Sequence, residues 1–137
     1  MRIATNIDGI DELERRLSLM GKDVKKAQIK ALRAGGKVLA EGIKQEVPVS
    51  DIHHEHIRDD IQVKQTPKRD RIIPDSVSFD VGPSAKTAWR AKFTHEGFTA
   101  KNGKFVRGNP FMTRALRVKS EAVQRAIAAE MRKGLGT

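Results

Sequence analysis

Apolar residues recur at helical spacing over three stretches of the chain. The clearest is Asn109 to Lys133, where Met112, Ala115, Leu116, Val123, Ala126, Ile127 and Met131 fall on one face with Ala122 beside them. Asn109 is a preferred N-cap, and Pro110 suits a first helical turn that has no use for its missing N–H. Gly134 and Gly136 supply a stop. Lys119 is the one charged interruption of the stripe. The spacing predicts a long amphipathic helix that must lay one face on something.

A shorter stripe, Ile10, Leu13, Leu17 and Met20, predicts a helix starting at Asp8. Its first turns carry Asp8, Asp11, Glu12 and Glu14, where acid is favourable against the helix dipole. Gly21 breaks it. The third stripe, Val24, Ala27, Ala31, Leu32, Val38, Leu39 and Ile43, predicts a second helix from about Asp23 to Gln45, ended by Pro48. Gly35-Gly36 lies inside it at a propensity cost of about 1 kcal/mol per residue relative to Ala. Gly35 and Gly42 fall on nearly the same face. Two explanations stand at this point: a close crossing with another helix, or a kink at the pair.

Elsewhere the period is two. Residues 2–7 alternate weakly, Ile61 to Gln65 alternates, and Val77, Phe79 and Val81 alternate with polar neighbours. Ala88 to Thr94 also alternates and is read as a third strand in preference to the alternative, a short helix. Thr66 to Asp75 is a proline-containing basic loop or hairpin arm. Gly97 to Gly108 is a glycine-rich basic loop with a turn at Asn102-Gly103, and Phe98, Phe105 and Val106 are its clip-like packing residues. Helices and strands come in runs, which indicates α+β. The expected fold has two N-terminal helices, a short antiparallel β-sheet with long loops, and a long C-terminal helix packed on one face of the sheet. At 137 residues the expectation is a single domain spanning 1–137.

Charge changes this picture. The chain carries a net +10. Residues 1–85 hold 15 Lys/Arg against 14 Asp/Glu, whereas residues 86–137 hold 12 against 3. The excess belongs to the C-terminal part and suits either a solvated face or a polyanionic neighbour. Lys101, Lys104 and Arg107 on one loop, with Lys68, Arg69 and Arg71 on another, are the candidate DNA-facing residues. They would meet phosphates without reading bases. No helix-turn-helix, zinc-finger or basic-zipper pattern accompanies them. Five Phe, one Trp and no Tyr make a poor base-stacking surface. No cysteine is present, so neither disulfides nor thiolate metal sites are available. The lack of cysteine fits an intracellular protein without fixing the compartment; no apolar run reaches membrane-spanning length, and the N-terminus lacks a signal-peptide core.

Candidate chemistry is thin. His53, His54 and His56 surround Glu55, with Asp59 and Asp60 beyond, but the spacing is not HExxH and fixes no third ligand. It reads as a polar loop, with pH sensitivity the intermediate possibility. Asp59, Asp60, Asp75 and Asp80 read as solvated or as partners of nearby Lys/Arg. No glycine motif cradles a phosphate and no serine sits in a nucleophile elbow. No catalytic residue, metal site or cofactor is expected. Trp89 reads as core or interface.

The order of the pieces carries more than any one of them. GIDELERRLSLMGKDVKKAQIKALRAGGKVLAEGIKQEVPV leads to SFDVGPS, then AWRAKFTHEGF, then NPFMTRAL and the terminal helix. This resembles the HK-ninety-seven gene-product-ten-like tail-component family of long-tailed bacteriophages, over nearly the whole chain. The more specific pieces are Val81-Gly82-Pro83, Glu96-Gly97, and Pro110-Phe111-Met112 with Ala115-Leu116. One departure is the segment after Pro48, where the family's small TG-containing stretch is replaced by VSDIHHEHIRDDI. The resemblance implies a structural virion protein of the head–tail junction, in tail completion or the neck. It implies a homo-oligomeric ring, six-fold, that binds connector and tail-tube proteins and is assembled in the bacterial host cytoplasm. Non-specific contact with DNA is compatible with it; a membrane and an enzymatic activity are not part of it. The candidate interface residues are Trp89, Phe98, Phe105, Pro110 and Phe111. The alternative is a non-specific DNA-binding module using the basic C-terminal part.

Overall fold

A computed structural model describes residues 2–4, 10–19, 23–49, 55–73 and 76–136, and within its first strand and first helix the side chains of residues 3, 12, 15, 16, 18 and 19. The elements run β1 (Arg2–Ala4), α1 (Ile10–Leu19), α2 (Val24–Glu46), β2 (Ile61–Gln65), β3 (Ser78–Pro83), α3 (Ala88–Glu96), β4 (Gly97–Thr99), β5 (Phe105–Arg107) and α4 (Phe111–Leu135). The protein is α+β with a long C-terminal helix and small antiparallel sheets. The N-terminal part is built on one long helix, α2, rather than on two comparable ones. Asp23 caps it, accepting from the Lys26 amide at 3.0 Å. The expected break at Gly21 and the start at Asp8 lie outside the described residues.

Among the described residues there are two sheets instead of one. Three antiparallel strands are ordered β1-β3-β2, with Ile3 opposite Phe79 and Val63 opposite Val81. The other sheet is the hairpin β4–β5, which replaces the expected glycine-rich loop. The expectation for α4 also needs correcting. It lies chiefly against α2, so α2 is the middle layer between α4 and the three-stranded sheet.

The glycine pair explains how that layer is made. A Cβ on Gly35 would lie 2.7 Å from Ile127 Cγ1 on α4, and one on Gly36 would lie 2.8 Å from Val63 Cγ1 on β2. Adjacent residues thus meet opposite layers, and neither site has room for a methyl group. A Cβ on Gly42 would sit 2.6 Å from Lys119 Cγ, so the charged interruption of the α4 stripe lays its aliphatic stem over a glycine. Gly134 does not stop α4, because it rests against Ala27 with a notional Cβ only 2.7 Å away. These contacts define an antiparallel crossing of α2 and α4, which selects the close approach over the kink. At the far end Arg114 Nε donates to Glu46 Oε2 (2.6 Å) and its Nη2 to the Glu46 carbonyl (3.2 Å), a cation placed at the C-terminus of α2.

The core follows from this layering. Leu39, Ile43, Val81, Phe111 and Ala115 are buried in one cluster, while Leu32, Val77 and Phe79 form another, bridged by Val63 and Ile127. The start of α4 differs from expectation: Pro110, not Asn109, occupies the N-cap position, and no side chain caps it. Gly136, with φ 73°, closes the other end, its amide donating to the Arg132 carbonyl.

Candidate functional site

Ala88 to Thr94 is helix α3, the alternative to the preferred third strand. Its alternation is real but misleading. The turn at Ser84, whose carbonyl accepts from the Thr87 and Ala88 amides, launches the chain into a helix. Ala91 alone is buried on that helix. Trp89 and Phe93, four residues apart, then share an exposed side.

The launching turn is fixed from below by Asp60. This carboxylate is buried and accepts from the Ser84 hydroxyl (2.6 Å), the Ser84 amide (3.1 Å) and the Thr87 hydroxyl (2.7 Å). It is therefore buried rather than solvated, and its hydrogen bonds go to Ser84 and Thr87, with the Lys86 charge a lesser favourable neighbour. The Ser84 hydroxyl first, then that of Thr87, hold its carboxyl below the usual carboxylate range, against a smaller opposing push from burial.

At the end of α3 the chain reverses at Gly97, whose φ of 86° disfavours any residue with a Cβ. The base of the hairpin is tight: a Cβ on Gly108 would lie 2.5 Å from the Glu96 carbonyl carbon. The Asn109 amide donates to the Thr94 carbonyl at 2.7 Å, and the His95 ring stands edge-on to Phe111 at 5.6 Å. Asn109 thus ties α3 to α4 rather than capping α4. The Asn102-Gly103 turn forms as the sequence indicates, with Asn102 Oδ1 accepting from the Lys104 amide.

The hairpin carries apolar side chains on both faces. Phe98 and Val106 are opposite each other in the ladder, and strand alternation puts Phe105 on the other side, its ring over Gly97. Phe93 and Phe98 meet edge-to-face at 5.9 Å. Trp89 is 60% exposed, Phe105 68% and Phe98 41%. Arg90, whose guanidinium lies 5.9 Å from the Trp89 ring centre, Lys92, Lys101, Lys104 and Arg107 belong to the same segment, with Glu96 its acidic residue.

The expected interface residues therefore divide. Trp89, Phe98, Phe105 and Pro110 are exposed and lie on or beside one arm. Phe111 is fully buried in the core and offers no surface. Phe93 belongs with the exposed set and was hidden by the strand reading; a helical wheel through Trp89 finds it.

The cationic residues divide as well. Lys101, Lys104 and Arg107 are exposed on the hairpin, and Lys68 and Arg69 on a 3-10 turn, Lys68–Asp70. Arg71 instead turns inward, its Nε donating to the Thr66 carbonyl (3.0 Å) and its Nη1 to the Ser76 carbonyl (3.3 Å), which clasps the loop shut. Thr66 is itself held, donating to Asp80 at 3.0 Å and so accepting from the Ser78 hydroxyl at 2.9 Å. Glu55 is exposed, and its carbonyl accepts from Arg90 Nη2. His53 and His54 lie outside the described residues. Among the described residues no group of His, Cys, Asp and Glu is arranged to hold a metal ion. No helix of the described residues is long and apolar enough to cross a membrane.

A protein-family model described as "Bacteriophage HK97-gp10, putative tail-component" matches residues 11–97. The chain belongs to the HK97-gp10-like family. The matched span takes in nearly all of α1, then α2, β2, β3 and α3, and ends at Gly97, where the hairpin begins. Strand β1, the hairpin beyond Gly97 and α4 lie outside it. The resemblance seen in NPFMTRAL lies beyond the matched residues. No curated protein and no solved structure matches the chain.

Proposed function

We propose that this protein is a structural component of a phage virion at the head–tail junction, in tail completion or the neck. It acts by assembling with copies of itself into a ring and by binding neighbouring connector or tail-tube proteins. Membership of a tail-component family over residues 11–97 carries the reading. The arm supports it. Four of the chain's six aromatic residues lie exposed between Trp89 and Phe105, and exposed apolar surface of this kind marks a binding surface. A two-stranded hairpin is also marginal by itself and gains from a neighbour.

Ring subunits use different patches on their two sides, which close by rotation. Residues 64–75 and 97–108 are the segments proposed to touch other subunits, and hydrogen exchange in them should slow on assembly. The exposed cations of the hairpin also suit a lumen through which DNA passes, without base reading. The deciding experiment is electron microscopy of particles assembled without this protein. Free tails beside filled heads place it at joining, and absent tails place it earlier, in tail assembly. Normal infectious particles refute the reading.

A further inference from the structure

Helix α4 and the three-stranded sheet leave one face of α2 open, and that face is a row of cations. Lys26, Lys30, Arg33, Lys37, Glu41 and Lys44 follow one another at intervals of three or four residues. At about 100° and 1.5 Å per residue, the five cations fall within about 60° of arc and run for about 27 Å. Lys26, Lys30, Arg33 and Lys37 are exposed. Arg33 is steadied from below, its guanidinium lying 5.5 Å from the centre of the buried Phe79 ring. Among the described residues none of these four has a carboxylate within ion-pair distance. Glu41 is the acid of the row, and it pairs with Lys44 at 3.4 Å.

Two facts set this row apart from an ordinary solvated face. Residues 1–85 hold 15 cations against 14 acids, yet five of those cations share this face with one acid, so folding sorts the signs in space. Like charges three or four residues apart also destabilise a helix, where alternating Glu and Lys would support it. Lys26–Lys30, Lys30–Arg33 and Arg33–Lys37 are three such pairs in succession. A polyanion laid along the row relieves that repulsion.

The side chains of the face select among polyanions. Helix α2 contributes no exposed large apolar residue. Protein interfaces are centred on apolar and aromatic side chains and are poor in Lys, so an acidic protein surface has nothing to bury here. A single strand needs rings to stack on, and the row has none. Phosphates need only point charges, which the four lysines of the row supply without reading bases. A duplex carries a phosphate every ~3.4 Å along each strand, so the row spans about eight of them.

We infer that the open face of α2 is a seat for the sugar–phosphate backbone of duplex DNA. The choice of DNA rests on the head–tail reading above, in which DNA passes the protein. The seat itself lies in the half of the chain whose charges balance, not in the basic C-terminal part. Its cations meet phosphates along the helix axis and leave the bases unread, so binding follows salt and ignores sequence.

Binding of the full-length protein to a mixed-sequence duplex of about 30 base pairs, from about 50 to 200 mM salt, tests this. One variant, Lys26→Gln with Lys30→Gln and Lys37→Gln, removes three exposed cations while Gln keeps the helix propensity. Arg33 stays, because it lies over Phe79. The control, Arg117→Gln with Arg125→Gln and Arg132→Gln, removes three exposed cations from α4 and lowers the net charge equally. Circular dichroism checks that both fold. The α2 variant is expected to lower the salt slope by about three and to weaken low-salt binding at least about tenfold. The control should change the slope by less than about one, and Lys30→Gln alone should lower it by about one. Equal losses in the two triple variants overturn the inference, because net charge alone would then attract the duplex. So does a slope that the α2 variant leaves unchanged, or a wild-type protein that binds no duplex. Tighter binding of a single strand of the same length, or of poly-glutamate at equal charge, overturns it too. None of these outcomes touches the junction role, which is judged on particles. Normal infectious particles without the protein remove that role, and an α2-dependent slope then still supports the DNA seat.

Discussion

Replacing Gly35 by Ala tests the layering at its tightest point. In an exposed helix the change should stabilise by about 1 kcal/mol, because Ala gives up less backbone freedom. Here the new methyl carbon would fall 2.7 Å from Ile127 Cγ1, 3.0 Å from Ile127 Cδ1 and 3.3 Å from Val123 Cγ1. Two branched side chains on a packed helix cannot all withdraw, and overpacking of this kind costs about 1–3 kcal/mol. The net expectation is a loss of up to about 2 kcal/mol, centred near 1. For a chain of this size that is a fall of about 3–4 °C in Tm. Urea unfolding followed by circular dichroism reads it directly, with an unchanged m-value showing that the transition itself is the same. Ile127→Ala supplies the control. It removes both offending carbons and leaves a space that the Gly35→Ala methyl can fill. The double variant should therefore be more stable than the sum of the singles by about 1–2 kcal/mol. Gly42→Ala should stay within about 1 kcal/mol of wild type, since its neighbour is a Lys119 stem that can swing away. If Gly35→Ala gains the full 1 kcal/mol and shows no coupling to Ile127, the two helices do not touch there and the glycine pair is a kink.

Three further expectations concern the charges. Because the Asp60 carboxyl titrates lower when folded, its contribution is complete above the ordinary carboxylate range, near pH 4, and fades as pH falls through its lowered folded value. Asp60→Asn should therefore be less stable than wild type at pH 7, with the gap closing toward acid pH; a gap constant from pH 7 to pH 3 would contradict the assignment. Arg114→Lys should not restore what Arg114→Ala loses, since two guanidinium nitrogens reach Glu46 at once; the loss is expected at about 0.5–1 kcal/mol, the pair being about one-third exposed, and equal stability of the Lys variant and wild type would refute it. If the hairpin meets duplex DNA, Lys101→Ala and Lys104→Ala should each lower the salt slope of binding by about one, whereas Arg71→Ala should leave the slope alone and loosen its loop; unchanged slopes for both lysines would remove DNA from the hairpin.

The sequence reveals the two long helices because their stripes run through many turns, and α2 and α4 match their expected spans to within a residue or two. The Gly35 and Gly42 pairing even indicates which face of α2 meets a helix. It does not show that Gly36 serves the opposite layer, since a lone glycine carries no side chain to pattern. Ala88 to Thr94 misleads for a different reason. Seven residues that alternate at period two also place Trp89 and Phe93 four apart, and periodicity alone cannot choose between strand and helix at that length. The choice comes from Asp60, 27 residues upstream of Thr87, which holds the turn that starts the helix. The candidate interface is half legible. Trp89, Phe98 and Phe105 look equally at home in a core and on a surface, and Phe111 belongs to the core because α4 turns it inward.

The adjacency of Gly35 and Gly36 limits how this protein's middle helix can vary in length. One glycine answers to α4 and its immediate neighbour to the sheet, so each contact fixes the rotational phase of the other. Adding or removing a single residue between the Asp23 cap and the pair would turn the cap's end of the helix by about 100° relative to the glycines. Ala27 would then leave Gly134, and Leu32 would leave its cluster. The span from Asp23 to the glycine pair therefore behaves as a ruler of fixed length.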